Sequence, residues 1–257
     1  MGVKAWKKWL NRFPYLKRVW KQGKRNVLKI ASRFRPELTP VTSGTFDLNE
    51  LVALLGKDDP LILEIGANDG GHTAFFLELF PRAKIYAFEP DPRASEKFQQ
   101  RLGRDPRVVL EKIAISAVDG EIDFFMSDSI ASEHVPGNWD QSGSIRKPKK
   151  HLEVVPWCIF RQTIRVPTKR LDTWWQMAGF PQIDFIWADV QGAEVDLIQG
   201  GKQALAHTRY VYTEYANEEL YEGQIPLREI LRLLPDFQLV YRFSGDVLLK
   251  NKRLKNA

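Results

Sequence analysis

The feature that most constrains this chain is the alternation, from Phe46 onward, of short unbroken apolar runs with stretches of helical periodicity. Residues 61–65 (LILEI) end at Gly66 and precede a helical stretch over 72–80. Residues 84–88 (KIYAF) end at Glu89-Pro90, 94–102 read as helix, and 107–115 (RVVLEKIAI) read as a third strand. Residues 183–188 (IDFIWA) make a fourth strand, a helix is expected over 193–205, and 209–213 (RYVYT) make a fifth strand. Residues 227–234 are again helical, and 237–243 and 247–250 flank Ser244-Gly245-Asp246 as a hairpin. Strands that do not alternate apolar with polar bury both faces, the condition of a parallel sheet covered by helices on either side. The expected fold is α/β, a doubly wound, mostly parallel sheet to which the C-terminal hairpin adds an antiparallel edge strand. The stretch between Ile115 and Ile183 exceeds what one crossover needs. It alternates over 121–126 (EIDFFM), then carries Pro136, Gly137, Gly143, Pro148 and Pro156. That pattern predicts an insertion, about 116–182, lying over the ligand edge of the sheet.

A length of 257 residues suits one to two domains with a core of ordinary size. The single cysteine, Cys158, excludes a disulfide framework and any multi-cysteine zinc site. No run of 18 apolar residues is present, so no transmembrane helix is expected. The N-terminus offers no unbroken apolar signal region, which points to a cytoplasmic protein. The formal net charge of +6 is unevenly spread. Residues 1–40 carry twelve Lys and Arg against Glu37 alone, a balance of +11, while the remainder holds 26 basic and 31 acidic residues, a balance of −5. On a helical wheel Trp6, Trp9, Leu10, Phe13, Leu16 and Trp20 share about one third of the circumference, with Lys and Arg over the rest and Pro14 as a kink or a second start. Residues 1–40 therefore read as a basic amphipathic arm, and 41–257 as the functional domain. Two roles are open for residues 1–36: contact with an anionic membrane at the inner face, or docking on a protein partner. Nucleic acid is disfavoured.

In open α/β sheets ligands bind beyond the carboxyl ends of the strands. After the first strand comes Gly66-Ala67-Asn68-Asp69-Gly70-Gly71, where glycines let the backbone turn tightly. Glu89 ends the second strand, 23 residues beyond Gly66, and a carboxylate there can accept both hydroxyls of a ribose. The glycine spacing is G-x-x-x-G rather than the G-x-G-x-x-G that cradles a pyrophosphate, and no P-loop lysine follows it. Glu64, two residues before the first glycine, suits a cationic ligand. A sulfonium with an amino-acid tail and an adenosine ribose, S-adenosylmethionine, meets these requirements.

The stretches LEIGANDGGHT (63–73) and YAFEPDP (86–92), and above all 184–194 (DFIWADVQGAE), resemble the FkbM family of S-adenosylmethionine-dependent methyltransferases. The likeness spans about residues 61–249, with 184–201 its most specific part. The family typically reads D-V-E-G-x-E where this chain has Asp189-Val190-Gln191-Gly192-Ala193-Glu194, so Gln191 stands in place of a glutamate. The resemblance implies a class I, Rossmann-like methyltransferase fold and O-methyl transfer onto hydroxyls of sugars, glycolipids or natural products. It also implies that Glu64, Gly66, Asn68 and Gly70 line the methionine half of the cofactor, and that Glu89 takes the ribose. Ala114 and Ile115 would then lie near the adenine and Asp189 beside the methyl group.

Methyl transfer to a weakly acidic hydroxyl benefits from a positioned base. Asp189 and Glu214, at the ends of the fourth and fifth strands, are the candidate catalytic residues, though Glu214 also suits a carboxylate capping a neighbouring loop. His72 and His207 suit helix ends, and His134 and His151 fall in the insertion. No histidine pair has helical ligand spacing, so no metal site is expected. Trp174 and Trp175 are expected to pack a helix on the sheet, whereas Trp139 and Trp157 suit stacking on a sugar. The basic run 146–150 (RKPKK) reads as a solvated face or as an attractor of acceptor phosphates. Two other functions remain open. A nicotinamide-dependent oxidoreductase would share the sheet and the ribose acid, and a methyltransferase-like binding module without activity would be consistent with Gln191.

Overall fold

A computed structural model of the chain describes residues 41–44, 46–130 and 137–254. The N-terminal amphipathic segment read from residues 1–40, and His134 and Pro136, lie outside the described residues. Residues from Thr42 onward form one compact unit.

The main sheet holds seven strands: β1 (Leu61–Ile65), β2 (Lys84–Phe88), β3 (Val108–Glu111), β7 (Ile183–Ala188), β8 (Thr208–Glu214), β9 (Phe237–Arg242) and β10 (Asp246–Asn251). Their order is β3-β2-β1-β7-β8-β10-β9. Strands β3 to β8 in that order pair in parallel, and β10 runs antiparallel to both neighbours. The order reverses between β1 and β7, which leaves a crevice at the carboxyl ends of those two strands.

The non-alternating runs are explained by two cores, one on each face. Ile62, Phe185, Tyr210 and Leu248 pack with α1 (Leu48–Leu55) and α2 (Gly71–Leu79). Their neighbours Leu63, Ile186, Val211 and Leu249 pack with α5 (Leu171–Met177), α6 (Glu194–Gly200) and α8 (Leu227–Leu233). Each fully buried aliphatic or aromatic side chain contributes about 1.5–3 kcal/mol, so both faces stabilise the sheet. Trp174 packs edge-on against Tyr86 and Phe88, and Trp175 donates to the Pro181 carbonyl at 2.7 Å; both are core residues, as the sequence suggests.

Three boundaries differ from expectation. The third strand breaks after Glu111, because β3 is the edge of the main sheet and has no further partner there. The chain turns away, and β4 (Ala114–Ser116) joins a separate three-stranded sheet, β4-β6-β5. The helix expected over 193–205 divides into α6 and α7 (Lys202–Ala206) at Gly200-Gly201. Gly200 lies so close to β4 that a Cβ there would sit 2.0 Å from the Ser116 carbonyl oxygen. The C-terminal hairpin is present, but its second strand inserts between β8 and β9, so β9 is the edge.

Within the insertion, β5 (Gly120–Ser129) and β6 (Cys158–Arg170) form an antiparallel ribbon over a small core of Ala114, Phe124, Met126 and Val166. The helix α3 (Pro92–Leu102) follows β2, and α4 (His151–Val154) precedes β6. No helix among the described residues is long and apolar enough to cross a membrane.

Candidate active site

The crevice is built from the turns that leave β1, β2 and β7. Gly66 has φ +87°, and its N–H donates to the Phe88 carbonyl at 2.9 Å. A Cβ at Gly66 would lie 1.9 Å from the Asp189 carbonyl oxygen, so only glycine allows β1 and β7 to end this close together. Asn68, also left-handed at φ +47°, donates its backbone N–H to Glu89 Oε2 at 2.7 Å and its side-chain amide to the Asp140 carbonyl at 3.1 Å. The Asp91 N–H donates to the other Glu89 oxygen at 2.8 Å. Glu89 is thus clamped by two backbone donors, yet burial still pushes its carboxyl up to about 8.

Glu64 is buried behind this turn. Its Oε2 accepts from the Thr73 hydroxyl, its Oε1 has no partner and lies 4.0 Å from His72 Nδ1, and burial raises it to about 8. Gly70 (φ +80°) caps α2 and lets α3 approach, since a Cβ there would press on Phe98 at 2.8 Å. Of the residues expected to hold a cofactor, Gly66, Asn68, Glu89, Ala114, Ile115 and Asp189 line one cleft of about 1020 Å³, its open mouth included. Glu64 and Gly70 shape it from behind and do not line it.

A second group of acids gathers where β7 and β8 end. The turn after Ala188 passes through two successive left-handed residues, Gln191 (φ +48°) and Gly192 (φ +90°). Gln191 Nε2 donates to Asp189 Oδ1 at 2.6 Å and to Glu214 Oε2 at 3.3 Å. Asp246 faces Glu214 across β10 and β8 and accepts from the Tyr212 hydroxyl. Burial, then mutual repulsion, pushes Glu214 well above the usual carboxylate range. Burial also raises Asp189, opposed by the Gln191 hydrogen bond. Glu194 accepts from the Gly192 N–H, leaves Oε2 without a partner, and is raised by burial to about 7. Asp189 lines the cleft, whereas Glu214 stands behind Gln191.

Residues outside the expected set complete the cleft. Phe124, Asp140, Gln141, Ser144, Ile145 and Gln191 come from the insertion and the β7 turn. The alternation of β5 could have flagged Phe124, but nothing local marks Asp140 or Asp246, which tertiary pairing alone brings in. His72 lines the cleft and stacks on Trp187, with ring centroids 4.5 Å apart. His151 is buried between Phe160 and Tyr221, and His207 stacks on Trp175 at a helix end. Trp139 packs edge-on against Trp157 and donates to Ser142 Oγ. The basic run is neutralised: Arg146 forks onto Asp196, and Lys147, Lys149 and Lys150 pair with Glu222, Glu219 and Glu218.

The donor set fits S-adenosylmethionine. Four carboxylates (Asp69, Glu89, Asp140 and Asp189) and, among the described residues, no Lys or Arg line the cleft, an environment for a cation and not for a pyrophosphate. Glu64 adds a buried oxygen that lacks a donor. Ile113, Ala114, Ile115 and Phe124 form an apolar slot suited to a flat base.

The model of the methyltransferase FkbM domain matches residues 64–243. A protein of Sinorhizobium fredii, 2-O-methyltransferase NoeI, is 51% identical over 237 residues, 89% of this chain and 96% of that one. Hexuronic acid methyltransferase AglP of Haloferax volcanii is 21% identical over 76% of this chain and 70% of its own. AMB antimetabolite synthetase AmbE of Pseudomonas aeruginosa is 27% identical over 61% of this chain but only 8% of its own.

Proposed function

This chain belongs to the FkbM methyltransferase family and is an S-adenosylmethionine-dependent O-methyltransferase, and from that premise we propose that its acceptor is a sugar hydroxyl, on a glycan or glycolipid. The observation that carries this reading is Asp189, a carboxylate at the crevice between β1 and β7, lining an acidic cleft roofed by the insertion. The names of two relatives, a 2-O-methyltransferase and a hexuronic acid methyltransferase, support the acceptor class.

When bound, the cofactor supplies an electrophilic methyl group on a sulfonium. In the proposed arrangement Glu89, its two oxygens already aligned by backbone donors, accepts from the ribose hydroxyls. Ala114 and Ile115 flank the adenine. Asn68 and the Gly66 turn hold the amino-acid tail, with Glu64 buried behind that turn. Asp189 would accept the proton that the acceptor hydroxyl loses on methylation and release it to solvent after product leaves. Glu214 stands behind Gln191, whose amide donates to both carboxylates. Holding the acceptor oxygen in line is worth several kcal/mol of barrier, and a base adds about 10²–10⁴-fold.

The test is a thermal shift of the full chain with S-adenosylmethionine against NAD, followed by mass spectrometry of a panel of sugars. The expected result is stabilisation by S-adenosylmethionine alone and one added methyl on a sugar. Stabilisation by S-adenosylmethionine without an added methyl on any sugar of the panel would overturn the sugar-acceptor assignment. We also infer that residues 1–36 carry the protein to an anionic membrane surface from the cytoplasmic side, on the strength of their tryptophan stripe and their twelve basic residues with no acidic one. Deletion of residues 1–36 should abolish sedimentation with anionic liposomes; unchanged sedimentation would end that idea.

A further inference from the structure

Gln191 shares with Asn68 a strained backbone at the cleft. It sits in the left-handed region, where a non-glycine residue is held only by its surroundings, and each polar atom of its side chain is engaged. The amide nitrogen reaches two carboxylates, Asp189 at 2.6 Å and Glu214 at 3.3 Å. The carbonyl oxygen lies 3.1 Å from the Tyr221 hydroxyl, which also points at the Ser142 carbonyl at 2.9 Å. The backbone carbonyl accepts from Ser144 Oγ at 2.7 Å. The amide nitrogen thus faces the two carboxylates and the carbonyl faces Tyr221.

We propose that Gln191 is the positioning residue of the proton acceptor: a neutral donor wedged between two carboxylates, which aims Asp189 into the cleft and is itself oriented by Tyr221. This deepens the assignment of Asp189 as proton acceptor, and rests on it. The surroundings make a donor necessary. Asp189 is approached by Glu214 and Tyr212 from β8, Asp246 from β10, Glu194 from α6, Glu64 from β1 and Tyr221 from the 215–224 segment, with no cationic side chain among them. Glutamate at 191 would have almost the same shape but would present a further acceptor to both acids. Burial keeps the Tyr221 hydroxyl protonated throughout the working range, so it always has one hydrogen to share between the Ser142 and Gln191 carbonyls.

Two substitutions separate positioning from support. Gln191→Glu keeps the shape and adds charge, and Gln191→Met keeps the length and removes the donor. Carbon-13 NMR of full-length protein labelled at Asp carboxyls, with the Asp189 signal identified by its loss in Asp189→Asn, reads the acid directly and needs no acceptor. The titration midpoint of Asp189 should rise in both variants, by about one pH unit or more in Gln191→Glu. In turnover the same variants should move the rising limb of the kcat–pH profile upward with the Asp189 midpoint, recover as pH rises, and bind S-adenosylmethionine within about threefold of the parent. Unshifted Asp189 midpoints in both variants, with only a lowered Tm, would overturn the proposal and leave Gln191 a structural residue. Shifted midpoints in a protein that methylates no sugar would uphold the positioning role and count against the acceptor assignment instead.

Discussion

At the scale of single residues, close approach and charge decide what each position tolerates. Gly66→Ala would drive a methyl into the Asp189 carbonyl and force an unfavourable φ, so the loss should be about 3 kcal/mol or more, with cofactor binding lost. A denaturant midpoint together with a binding isotherm checks both. Asp189→Asn should slow turnover about 10²-fold or more while leaving cofactor affinity within a small factor. Glu214→Gln should cost less than Asp189→Asn, because Glu214 stands behind Gln191 and outside the cleft lining; parity between the two, measured as kcat, would make Glu214 an equal partner in the base. Much of this was readable in the chain. Glu64, Gly66 and Glu89 declare themselves by spacing along the first two strands, and Asp189 by the Gly192 turn that follows it. Asp246 did not, since a strand-flanking acid in a hairpin is unremarkable until β10 pairs with β8 and sets it opposite Glu214.

At the scale of elements, the sheet was legible because buried parallel strands are short, apolar and end in glycine or acid. The ends of elements were not, because contacts distant in sequence determine them. Strand β3 stops where its neighbours stop, and α6 stops where Gly200 meets Ser116. The roof of the cleft is another such case. The segments 146–150 and 218–222 look like unrelated charge runs, yet they pair backbone to backbone, Lys149 N–H to the Leu220 carbonyl at 2.8 Å and Glu222 N–H to the Lys147 carbonyl at 2.8 Å. Arg146 anchors this clasp, with Nε 2.6 Å and Nη2 2.8 Å from the two oxygens of Asp196. Arg146→Ala should therefore cost about 1–2 kcal/mol and raise the KM for acceptor, since the cleft-lining Gln141 and Ser144 lie just ahead of the segment it secures. Lys149→Ala removes only an exposed pair and should leave both measurements near the parent values.

For the molecule as a whole, the buried acids couple stability to pH. Glu64 and Glu89 are raised to about 8 and Glu194 to about 7, against 4.5 for an ordinary glutamate. Between those limits the folded chain binds more protons than the unfolded one, so unfolding free energy falls as pH rises. The contribution is complete below about pH 4.5 and is lost as pH passes through 7 to 8. Without ligand, Tm should decline across that window, and Glu64→Gln should flatten the decline. A cationic cofactor favours the ionised acids, so its stabilising shift should grow with pH over the same range; a constant shift would count against the acids facing it. The position of β10 carries one more consequence, which concerns the order of manufacture. A ribosome delivers β8 and β9 before the strand that lies between them, so the sheet stays split, with two open edges, until β10 emerges. Asp246 arrives on that same strand. A nascent chain can thus have its cofactor-side turns in place well before its acid cluster is complete, and any stall ahead of β10 leaves a partly built enzyme whose unpaired edges are open to a neighbour.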